Sequence, residues 1–123
     1  MQHTLTLVAI GLTCVLGLVL AGSVLREVRS PALVRRMHLA AGVAALFLLW
    51  RSVELAATST TPQAGPTGRL PLAFLAIALL LGLSLWPLAR HARQGLTLAR
   101  ALHVCMGFCG LILAAAWLLR PGH

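Results

Sequence analysis

Apolar residues run through this chain in four long blocks, Thr4–Leu25, Leu33–Leu55, Leu70–Ala89 and Leu96–Leu119, and most charged residues collect between or beside them. Each block has about 20 residues, and at ~1.5 Å per residue a helix of that length crosses the ~30 Å hydrocarbon layer of a bilayer. Backbone N–H and C=O groups find no partners in lipid, so a crossing segment is either a helix or a strand of a closed barrel. Barrel strands alternate between two faces, and no such alternation runs through these blocks. The pattern predicts an all-α integral membrane four-helix bundle. Only Gln2 and His3 precede the first block and its arginines follow it, the reverse of a secretory signal. That block is read as a retained helix with its N-terminus outside.

Composition agrees with the pattern: 59% of residues are hydrophobic, 10% are charged and the mean hydropathy is +0.93, which excludes an ordinary soluble domain. The formal charge of +8 comes from ten arginines, with no lysine, against Glu27 and Glu54. Position explains this basicity better than nucleic-acid binding does. Arg26, Arg29, Arg35 and Arg36 lie in or beside the first connection, and Arg90, Arg93 and Arg100 in or beside the third. By the positive-inside rule those connections are cytoplasmic, and the second connection and both termini are outside. The expected location is a bacterial-type inner membrane. Trp50 and Trp117 near the outer ends and Trp86 near an inner end suit an aromatic belt. Cys14, Cys105 and Cys109 fall inside apolar blocks, where a thiol serves as a small apolar group.

Linker composition occurs once, at Ala57–Gly68 (ATSTTPQAGPTG), which is expected to be an exposed flexible loop. The rest reads as one domain, residues 1–123, of two hairpin units at about 4–55 and 70–120 joined by residues 56–69. An offset of 65 aligns them without a gap, matching Gly17 with Gly82, Arg35 with Arg100, His38 with His103 and Gly42 with Gly107. Three of these identities form one pattern, RxxHxxxG, at the start of the second block and again of the fourth. Tandem units of two crossings share an orientation, which predicts a pseudo-twofold along the membrane normal. His38 and His103 then lie at equal depth, near the cytoplasmic boundary.

An ionisable side chain inside a membrane needs a functional partner or an explanation. For these histidines the partner is expected to be a metal. Helical offsets of four, seven and eleven from His38 reach Gly42, Ala45 and Leu49, and from His103 they reach Gly107, Gly110 and Ala114. Both faces continue with small residues beside the histidine, leaving room for a flat macrocycle; close helix packing is the other use of such a strip. Arg35 and Arg100, three residues before their histidines, are placed to pair with acidic groups of a macrocycle or to anchor the helices at the interface. Other titratable groups carry less. His3 and His123 are terminal, His91 lies in a connection, and Met37 and Met106 fall off the repeated face. Cys105 and Cys109 lie roughly opposite His103 and are read as packing residues, and Glu54 is expected to pair with Arg51 at the interface.

The segments RRMHLAAGVAALFLLWR (Arg35–Arg51) and RALHVCMGFCG (Arg100–Gly110) resemble the ligand helices of membrane b-type cytochromes, in which the second and fourth helices of a four-helix bundle carry axial histidines. The resemblance covers those two helices and the topology. It implies one haem b per chain, with His38 and His103 as axial metal ligands, Arg35 and Arg100 near the propionates, and Gly42, Ala45, Gly107 and Gly110 beside the ring. It also implies one-electron transfer with other redox subunits or quinone as partners, within a lipid bilayer and in a hetero-oligomer. Many members hold a second haem on histidines 13 or 14 residues further along each ligand helix; here those positions are Arg51, Ser52, Ala116 and Trp117, so one haem is expected. Three readings compete with this one. They are a cofactor-free accessory subunit of a membrane complex, a chlorophyll-type pigment on the same histidines, and a small transporter, for which Glu54 lies too near the boundary and has no counterpart in the second unit.

Overall fold

The structure is a computed structural model that describes residues 2–58, 64–91 and 93–120. These residues form four helices: α1 (Gln2–Leu25), α2 (Ala32–Ala57), α3 (Ala64–His91) and α4 (Arg93–Leu118). All four are long and apolar enough to cross a membrane. Large apolar side chains point outward along them, with Leu18 67%, Leu80 66% and Phe108 61% exposed. Such a surface is unfavourable in water and suited to hydrocarbon. Hydroxyls inside the helices are satisfied locally: Thr13 Oγ1 donates to Ala9 O at 2.8 Å and Ser84 Oγ to Leu81 O at 2.7 Å.

The turn after α1 closes through two backbone bonds, Glu27 N–H to Val24 O at 3.1 Å and Val28 N–H to Ser23 O at 3.0 Å. This is the paired pattern of a Schellman stop, whose pivot adopts a left-handed conformation. Glu27 is that pivot, at φ 56°. Pro31 follows and its carbonyl accepts the N–H of Arg35 at 3.4 Å as α2 begins.

The second connection differs from expectation. Composition predicts a loop to Gly68, but α3 starts at Ala64, so Gly65, Pro66, Thr67 and Gly68 are helical and Gly68 is buried. Proline is compatible with a first helical turn because its missing N–H has no intrahelical partner there. At the third connection α3 runs on to His91 and α4 begins at Arg93, so Arg90 and Arg93 belong to helix ends.

The chain divides into two compact units, residues 1–49 and 50–123. In the first, α1 pairs with the greater part of α2, and Thr6, Ile10, Ala41, Ala45 and Leu49 are buried. In the second, the last turns of α2 pack with α3 and α4. Gly68 is the close point: a Cβ there would lie 2.8 Å from Val53 Cγ2 and 2.9 Å from Trp117 Cε2. Trp117 is therefore not a belt residue facing the interface. It is 2% exposed, packed over a glycine that leaves room for its ring.

Candidate functional site: two histidines with matched partners

His38 lies in the second turn of α2, and its Nδ1 is 3.1 Å from the carbonyl oxygen of Thr13 on α1. His103, its counterpart in the repeat, lies one turn further into α4, with Nδ1 2.7 Å from the carbonyl oxygen of Ala78 on α3. Thr13 and Ala78 are themselves related by the offset of 65 that relates the two histidines. A carbonyl oxygen only accepts, so in both rings Nδ1 carries the hydrogen. In the neutral form the lone pair then sits on Nε2.

Glycine makes the approach possible. In a helix the carbonyl of one residue is bonded by the N–H four residues on, and the side chain there flanks that oxygen. Four residues after Thr13 is Gly17, and four after Ala78 is Gly82. A Cβ on Gly17 would lie 3.1 Å from His38 Cε1, and one on Gly82 would lie 2.9 Å from His103 Cε1. Each imidazole thus lies against a glycine of the neighbouring helix and bonds a carbonyl one turn before it. In sequence, Gly17 and Gly82 are the repeat identity that stands outside RxxHxxxG; that was the available signal for this role. The carbonyls left no signal, because every residue has one.

The small-residue faces that begin at the histidines are also turned toward the neighbouring helix of their own hairpin. A Cβ on Gly42 would meet Thr13 Cγ2 at 3.8 Å, and one on Gly107 would meet Ala78 Cβ at 3.9 Å. At Gly110 the fit is tighter, with Leu75 Cδ2 at 2.9 Å and the Leu75 backbone N at 3.2 Å. Ala45 is buried in the first unit, 4% exposed. These contacts realise the packing use of the strip at all three glycines.

Arg35 and Arg100 are exposed, one turn before His38 and His103. Met37 is exposed, Met106 is half-buried, and Cys105 and Cys109 lie on an exposed part of α4. His3 falls in the first turn of α1 and His91 ends α3, while His123 lies outside the described residues. Among the described residues no three His, Cys, Asp or Glu side chains group as a metal cluster. Glu54 lines an open groove with Arg69 of α3. No family model, no curated protein and no solved structure matches this chain.

Proposed function

We infer that this chain is a membrane electron-transfer subunit that holds one haem b through Nε2 of His38 and Nε2 of His103. The observation that carries the reading is the matched pair of Nδ1–H···O=C bonds, His38 to Thr13 and His103 to Ala78. Histidines that ligate a metal almost always donate their other ring hydrogen to a carbonyl or carboxylate, which orients the ring and raises the basicity of the ligating nitrogen. The same arrangement in both units leaves Nε2 as the metal-ligating nitrogen of each ring. Two imidazoles of this tautomer are the donors that one tetrapyrrole would take, and Arg35 and Arg100 would supply guanidinium groups for its carboxylates.

When bound, haem supplies reversible one-electron chemistry at its iron. His38 and His103 would hold the group, which would leave the chain to pass electrons and the bond-making chemistry to a partner. Gly17 and Gly82 hold the imidazoles in place, while Gly42, Gly107 and Gly110 bring the helices of each hairpin together. The proposal sets the chain in an inner membrane, with the Arg-rich first and third connections in the cytoplasm and the termini outside.

The same contacts favour one other reading. A ring that bonds a carbonyl across a helix pair is also a packing tie, and a cofactor-free subunit of a larger complex would use it so. Optical spectra of the detergent-purified protein, oxidised and then reduced with dithionite, together with a pyridine haemochrome assay, separate the two. A sharp reduced α band and about one b haem per chain are expected, and both should vanish on changing His38 and His103 to Ala. A colourless protein from haem-supplied cells, or haem retained without both histidines, rejects the cytochrome reading.

A further inference from the structure

The second unit carries a groove apart from the histidines, lined by Trp50, Val53 and Glu54 of α2 and by Arg69, Leu72, Ala73 and Ala76 of α3, with a volume of about 410 Å³. Its polarity is graded. Glu54 lies in the last turn of α2 and Arg69 near the start of α3, so both charged groups sit at the same joined helix ends. From there the lining proceeds inward along both helices through Val53 and Leu72 to Trp50 and Ala76. Ala73 and Ala76 are small and leave the groove open along α3. Trp50 is 44% exposed, as suits an indole at the boundary between headgroups and hydrocarbon.

We propose that this groove binds a phospholipid with a zwitterionic phosphoethanolamine headgroup. The mouth presents one carboxylate and one guanidinium, and the complement of that pair is one ammonium and one phosphate on a single molecule. A primary ammonium donates hydrogen bonds to Glu54, and phosphate oxygens accept the forked N–H groups of Arg69. An acyl chain continues along Leu72, Ala73 and Ala76. The volume lies in the range of small-ligand sites and accommodates a headgroup with its first methylenes. Phosphatidylglycerol offers Glu54 neutral hydroxyls in place of a cationic donor, and in a phosphocholine three methyl groups replace the hydrogens that Glu54 would accept.

This inference rests on membrane insertion, part of the proposed function, and is independent of haem. Native mass spectrometry of the full chain in detergent, titrated separately with phosphatidylethanolamine, phosphatidylcholine and phosphatidylglycerol of matched acyl chains, tests it. Ethanolamine lipid should bind roughly tenfold more tightly than either competitor, the difference made by one charge-assisted hydrogen-bonded group. Glu54→Gln should erase the preference over phosphatidylglycerol, and Arg69→Gln should weaken all three lipids, with helix content by circular dichroism unchanged. Equal binding of the three lipids by the unaltered protein overturns the proposal without reference to any variant. So does preferential retention of phosphatidylglycerol or of a quinone. Recovery of the chain in the aqueous fraction after carbonate washing overturns membrane insertion as well, whereas a colourless protein that still selects the ethanolamine lipid overturns only the cytochrome reading.

Discussion

A Cβ built on Gly82 falls 2.9 Å from Cε1 of His103, closer than side-chain carbons approach, whereas one built on Gly22 meets nothing within 4 Å. Alanine has opposite consequences at these positions. At Gly22 it adds helix propensity alone and should stabilise by about 0.5–1 kcal/mol. At Gly82 it drives a methyl into the imidazole and should destabilise by about 1–3 kcal/mol, the usual penalty of overpacking. Unfolding in mixed micelles measures both, and a neutral Gly82→Ala would show that the ring does not rest on that glycine. The hydrogen-bond assignment has its own readout: ¹⁵N spectra of histidine-labelled protein should show Nδ1 protonated and Nε2 unprotonated in neutral His38 and His103, and the opposite tautomer would remove the basis of the ligand argument. At this scale the sequence disclosed the histidines, because repetition made them stand out. It did not disclose Thr13 and Ala78, which act through backbone oxygens.

Among the elements, the glycines of α4 separate packing from ligand binding. Gly107 has ordinary contact distance to Ala78, so Gly107→Ala should change stability by less than about 1 kcal/mol, whereas Gly110→Ala presses on the side chain and backbone of Leu75 and should cost about 1–3 kcal/mol. With the proposed haem bound, Gly107→Ala should leave its absorbance intact, since a Cβ at Gly107 would face Ala78 on α3; lost absorbance in a stable Gly107→Ala protein would assign the strip to the cofactor. The end of α1 offers a further test. Glu27 holds φ 56° without being glycine, a conformation that costs an L-residue roughly 1–2 kcal/mol. Glu27→Gly should raise stability by about 1 kcal/mol in the same unfolding assay. The helices were legible from the length of the apolar blocks. The start of α3 was not, because Thr, Pro and Gly in Ala57–Gly68 look like a loop by composition while proline and glycine are also compatible with the first turns of a helix.

For the whole molecule, the distribution of arginines predicts the topology that the proposed function requires. An alkaline phosphatase fused after Arg120 should be active outside the cytoplasm and a green fluorescent protein at the same place should be dark; the reverse result inverts the orientation and moves the histidines to the other side. What the sequence determined by itself is the all-helical class, the four segments long and apolar enough to cross a membrane and the repeat with its histidines. These follow from local quantities, since apolar length, period and identity are properties of the chain read in order. Only the tertiary structure decided that each histidine bonds a carbonyl within its own hairpin, that Trp117 is buried over Gly68, and that Glu54 shares a groove with Arg69. Each of those depends on the rotation of one helix against another, which is set by a few close approaches at glycine and by backbone atoms common to every residue.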